Sequence, residues 1–164
     1  MERAPTWITW KTHARVAPRK NRLWAIFSWS NTHAKILGMR TIFLLLFLAT
    51  VTLAFVHFAA LEFFLYWQYV WLDVPVHFLG GTIVALLFLA LLDLGLPCPS
   101  WCQKLIPVLV LVLIVGVLWE VYELLIGIII RDNYVFDTTL DLIMDVCGGY
   151  VGYVVGNKVR VWQK

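Results

Sequence analysis

The stretch LIPVLVLVLIVGVLWEVYELLIGIII, residues 105–130, decides the fold. It runs for twenty-six residues with no charge except Glu120 and Glu123. A bilayer is crossed by about 20 helical residues, so this stretch is long enough to span one. A carboxylate at the centre of such a helix costs on the order of 2.5–3.5 kcal/mol on insertion scales. Three residues apart, the two project from one helix face. A pair of this kind persists where other polar groups meet it, and the rest of the chain supplies them.

Three more apolar runs surround the first. They lie at about residues 41–61, 74–92 and 138–156, which predicts an all-α polytopic membrane bundle of four transmembrane helices over residues 41–156. The chain has 164 residues, is 62% hydrophobic and has a mean hydropathy of +0.83. Soluble domains average about 45–50% apolar, so the composition excludes a soluble enzyme, and the length leaves no room for a second domain. Pro75 suits the first turn of the second span, with Asp73 placed to cap it. Gly80-Gly81 admits a close neighbour, and Gly148, Gly152 and Gly156 form a small-residue stripe that suits tight packing or homo-oligomer formation. Between the first two spans, Phe63, Phe64, Tyr66, Trp67, Tyr69 and Trp71 suit a membrane-interface belt.

Charge is divided unevenly. Residues 1–40 hold eight Lys/Arg against one acid, and residues 41–164 hold five against nine. The first 40 residues form a basic, Trp-rich cytoplasmic or interfacial segment, with Leu23 to Trp29 suited to a short interfacial helix. Met39 is an alternative start, which would make the preceding residues an upstream extension. Residues 157–164 form a basic tail. With four spans and the N-terminus inside, the inner segments hold twelve Lys/Arg and the outer loops only Arg131. The positive-inside rule then places both termini in the cytoplasm of a multi-pass inner or plasma membrane protein. No folded basic surface suits nucleic acid. Cys98 and Cys102 flank Pro-Ser-Trp in a loop on the cytoplasmic side, where thiols stay reduced. Their spacing suits neither a redox motif nor, without histidines, zinc.

This topology gathers ionisable groups at one level. Asp73 and His77 share a face at the outer start of the second span. Asp137, Asp141 and Asp145 share a face of the fourth. Glu123 lies roughly 10 Å deep from the outer end of the third span at 1.5 Å per residue, with Glu120 one turn deeper. His57 lies near the outer end of the first. So many carboxylates in a dry site must be protonated, share a cation or line water. The oxygen-rich set with one histidine suits Mg²⁺ or Mn²⁺, and with two suits Zn²⁺. A metal with an open position could activate water or hold a phosphate for attack. Plainer roles exist beside these: Asp73 and Asp137 as helix caps, and His57 as a packed interfacial histidine.

The motifs Asp73-Val-Pro-Val-His77-Phe-Leu-Gly80-Gly81, Trp119-Glu120-Val-Tyr-Glu123 and Asp137-Thr-Thr-Leu-Asp141, with Asp145 and Gly148-Gly149, occur in an order that resembles the YjdF-type family of small inner-membrane proteins. More distantly they resemble the VanZ-like membrane proteins. The resemblance covers about residues 41–156 and implies a compact helical bundle without bringing a reaction. A likeness to the CDP-alcohol phosphotransferases fails, because only an Asp-x-x-x-Asp fragment is present and it lies toward the outer face. Three function classes follow. The first is a metal site of His77, Glu123, Asp141 and Asp145, joined by Asp73, Asp137 or His57, with Glu120, Glu123 and Asp141 as catalytic candidates for hydrolysis or transfer on a lipid or envelope substrate. The second is a proton- or cation-coupled carrier, and the third a scaffold subunit.

Overall fold

A computed structural model describes residues 19–126 and 134–161, with side chains described from residue 40 onward apart from Val70 and Val161. Residues 1–18, 127–133 and 162–164, which include part of the basic arm and Arg131, lie outside the described residues. The rest is helical, with no strand among the described residues. Helix α1 (Arg19–Glu62) leads into a short α2 (Leu65–Gln68) and a 3₁₀ turn (Val70–Leu72). Then come α3 (Asp73–Asp93), a second 3₁₀ turn (Ser100–Gln103), α4 (Leu105–Ile126) and α5 (Tyr134–Val161).

Among the described residues three helices, not the expected four, are long and apolar enough to cross a membrane: Arg40–Glu62 within α1, Asp73–Asp93 and Leu105–Ile126. The reason lies in α5, whose 28 residues extend roughly 40 Å at 1.5 Å per residue. Its mid-helix aspartates and glycines dilute its apolar content below that of the other three. The expected short helix at residues 23–29 is also corrected. It belongs to one 44-residue helix, because no proline interrupts Arg19–Glu62.

Helix α1 ends where Phe64 takes a left-handed conformation at φ 54°. Helix α3 ends on Gly95, φ 96°, with Gly95 N–H donating to Leu92 O and Leu96 N–H to Leu91 O. This is the Schellman arrangement, and glycine takes its left-handed position without a Cβ clash. The link between α1 and α3 exposes Phe63, Phe64, Trp67, Tyr69 and Trp71, as an interface belt requires. Leu72 precedes α3 without any side-chain cap, so Asp73 stands inside the first turn and does not cap it.

The tightest seam runs between α3 and α5, which lie parallel. A Cβ at Gly148 would overlap the Phe78 carbonyl, one at Gly81 the Asp145 carbonyl, and one at Gly152 would come within 2.6 Å of Thr82 O. The single Thr82 hydroxyl proton is shared between Phe78 O and Gly148 O, which bridges the two helices. At the far end Arg160 Nε donates to Asp93 Oδ1 at 2.8 Å. The glycine stripe is therefore covered inside the chain by α3, which corrects its expected use in a homo-oligomer. Helix α4 buries one stripe at spacing four, Val108, Val112, Gly116 and Glu120. The remaining faces of α1 and α4 are studded with exposed Phe, Leu, Ile and Val, as lipid-facing helices are. Cys98 and Cys102, expected as free thiols, are paired. The 3₁₀ turn draws their Cα atoms to 6.4 Å, within bridging range.

Candidate functional site

The buried stripes of three helices each end in an ionisable group. Val108, Val112 and Gly116 on α4 continue into Glu120. On α5 the residues preceding Gly148 and Gly149 on the packed side are Asp141 and Asp145. On α3 His77 follows Asp73 by one turn. His77, Glu120, Asp141 and Asp145 are all buried, at 4%, 5%, 3% and 6% exposure. Room for Asp145 comes from three glycines. Gly80 and Gly81 flank it from α3, and a Cβ at Gly116 would strike its carboxylate from α4.

The His77 ring is held from one side and faces acids on the other. Its Nδ1 pairs with Asp145 Oδ2 at 3.3 Å. Its Nε2 lies 3.8 Å from Asp73 Oδ1 and 3.8 Å from Glu120 Oε1. Those gaps are too wide for hydrogen bonds, and Nε2 and Glu120 Oε1 are buried without a hydrogen-bond partner. Each gap is shorter than two metal–ligand bonds of about 2.1 Å, so one cation could meet both atoms. Two sets of three residues offer ligand atoms within 4.8 Å of one another: Asp73, His77 and Asp141, and His77, Glu120 and Glu123. The sets share His77. One imidazole with several carboxylates is a donor set suited to a borderline or hard divalent ion.

Other groups steady this core. Thr138 Oγ1 donates to Glu120 Oε2 at 2.7 Å, and Trp119 Nε1 donates to Glu123 Oε1 at 2.9 Å. Gly116 was not singled out from sequence, and Thr138, Trp119 and Tyr66 entered there only as motif or interface-belt residues, not as partners of the cluster. Only the i, i+4 spacing of Trp119 and Glu123 could have signalled one of these contacts. Asp137 stands in the first turn of α5, one turn before Asp141, and is in neither set. His57 is also in neither set. It shares a 2.8 Å hydrogen bond with Tyr66 Oη, and its ring meets that of Trp119 at 6.0 Å between centroids. In the link, burial, with Asp73 and Glu123 nearby, pushes the Tyr66 phenol above its usual range, so it stays protonated.

A cavity of about 330 Å³ lies beside the cluster. Helices α1, α3 and α4 line it with Leu53, Ala54, Ile83, Val84, Val112 and Val115, and His57, His77 and Asp145 also reach it. Adjoining the cavity at Val112, Ala85, Val108 and Val112 form a buried apolar core toward the other end of the bundle.

A family model described as "Predicted membrane protein (DUF2238)" matches residues 23–161, and the YjdF-type proteins are that family. The match begins upstream of Met39. The more distant VanZ-like likeness is not shown. No curated protein and no solved structure matches the chain.

Proposed function

Since the chain belongs to the family of predicted membrane proteins designated DUF2238, we propose that it is a multi-pass plasma-membrane protein with a divalent-cation site for hydrolysis or transfer on a lipid or envelope substrate. One observation carries this reading. His77 Nε2 and Glu120 Oε1 are buried, lack hydrogen bonds and stand 3.8 Å apart with Asp73 beside them. Unmet polar atoms at membrane depth are costly, and a cation satisfies both at once. Asp73 and Glu120, with either Glu123 or Asp141, are the carboxylate ligands in this reading. Asp145 takes the role of the acid that holds the ligating histidine from behind and fixes which nitrogen faces the metal. When bound, the ion would polarise an ester or phosphate and lower the pKa of water. A carboxylate left off the metal, Glu123 or Asp141, would accept the proton.

The basic residues Arg40, Lys104, Lys158 and Arg160 all stand at the end of the bundle opposite the cluster. On the positive-inside rule that end is cytoplasmic and the cluster faces outward. The reading is favoured over a carrier by the apolar core at Ala85, Val108 and Val112, which offers a transported ion no polar route.

Elemental analysis of detergent-purified protein tests the site. About one divalent ion per chain is expected, lost in His77→Ala and in Glu120→Ala with the helical content intact. Retention should weaken as pH falls, because protons compete for the imidazole and the carboxylates. Protein that is metal-free as isolated, and remains so after dialysis against Zn²⁺, Mn²⁺ and Mg²⁺, would overturn the reading.

A further inference from the structure

The cavity beside the cluster has the shape of a question the metal alone does not answer. Its walls are apolar along most of their extent, and its ionisable groups, His57, His77 and Asp145, gather at one end. A pocket that is polar at one end only fits an amphiphile, and a fully polar metabolite would leave its groups unpaired against Leu53, Val84 and Val112. At about 330 Å³ it takes on the order of ten methylene-sized units, each close to the roughly 30 Å³ share of a water molecule.

The way in is lateral. Among the lining residues, Thr50 on α1 and Val115 and Trp119 on α4 are exposed, the last two at 37% and 39%. All three lie on helices apolar enough to span, so the surface they reach is the one presented to hydrocarbon. At the acid end, the His57 and Trp119 rings meet across α1 and α4. The cavity lies below that ring pair, between the same two helices.

We infer that this cavity is an acyl-chain site: it takes one hydrocarbon chain of an amphiphile from the bilayer, and the headgroup meets the cluster around His77. The headgroup half of the inference rests on the metal reading above. The chain half does not. Two exposed helices flanking an apolar void, with polarity at one end, stand independently of any ion.

The test uses the full chain in nanodiscs with a lysophosphatidic acid carrying a diazirine at mid-chain. After irradiation, adducts are mapped by mass spectrometry. Adducts are expected on Leu53, Ile83, Val84, Val112 and Val115 at least tenfold above those on lipid-facing Phe47, Phe55 and Leu118. Ala54→Trp, which fills the void from α1, should abolish the enrichment while the metal content stays at the parent level. In His77→Ala the lining adducts should persist after the metal is lost. Equal labelling of lining and lipid-facing residues in a metal-loaded parent would overturn the acyl-chain site and leave the metal reading standing. Enriched lining adducts in a metal-free parent would uphold the chain site and remove the metal reading. Enrichment unchanged by Ala54→Trp would place the chain elsewhere and overturn the inference.

Discussion

At the scale of single residues, the site depends on which nitrogen of His77 faces the acids. Asp145 holds Nδ1, and Gly80 and Gly116 give its carboxylate the space to do so while Gly81 lets its backbone approach. Asp145→Asn should keep the protein folded yet lower metal affinity about 10–100-fold, measured by competition with a chelator. Thr138→Val removes the donor to Glu120 Oε2 and should lower affinity about tenfold on the same assay. An unchanged affinity in both would mean that neither group steadies the ligands. The depth of Glu120, Glu123, Asp141 and Asp145 was legible in the sequence, because charge inside an apolar run stands out against its surroundings. What a pattern along one helix could not give was the partner across the bundle. Nothing at Thr138 marks it as a donor to Glu120, eighteen residues away. His57 read as a possible ligand from depth alone; its Nδ1 shares a hydrogen bond with Tyr66, and it stands outside both candidate sets.

At the scale of elements, the α3–α5 seam sets the geometry. Gly148→Val would drive a side chain into the Phe78 carbonyl and should destabilise by about 1–3 kcal/mol. Its neighbour Cys147 is exposed, and Cys147→Ser should stay within about 0.5 kcal/mol. Thermal unfolding of the two variants in the same detergent makes the comparison, and equal losses would show that the seam tolerates separation. Gly95 meets no atom within 4 Å, so Gly95→Ala should cost about 1 kcal/mol through its left-handed backbone alone. The small-residue stripe and the helix boundaries near Asp73, Asp93 and Leu105 were readable from sequence. Its partner was not, since a glycine row serves a second copy or a neighbouring helix equally well. The count of spans was overestimated for a related reason. Helix α5 has the length of a crossing helix but spends its composition on aspartates and glycines that α3 and α4 cover.

At the scale of the whole molecule, charge is polarised along the bundle axis. Arg40, Lys104, Lys158 and Arg160 stand at one end, while Glu62, Asp73, Glu120, Glu123, Asp137, Asp141 and Asp145 stand toward the other. Only Asp93 breaks the pattern among the described residues, and Arg160 neutralises it. In right-side-out vesicles of the Cys147→Ser variant treated with a membrane-permeant reductant, a membrane-impermeant maleimide should reach Cys98 only after the vesicles are opened. Labelling of sealed vesicles would invert the orientation. The parallel seam carries a mechanical consequence. With backbone against backbone from Phe78 to Thr82 and an ion pair at Asp93, α3 and α5 are tied along their length into one stiff plank. Any breathing motion that admits a molecule to the cavity must then come from α1 and α4, swinging like shutters hinged on a fixed frame.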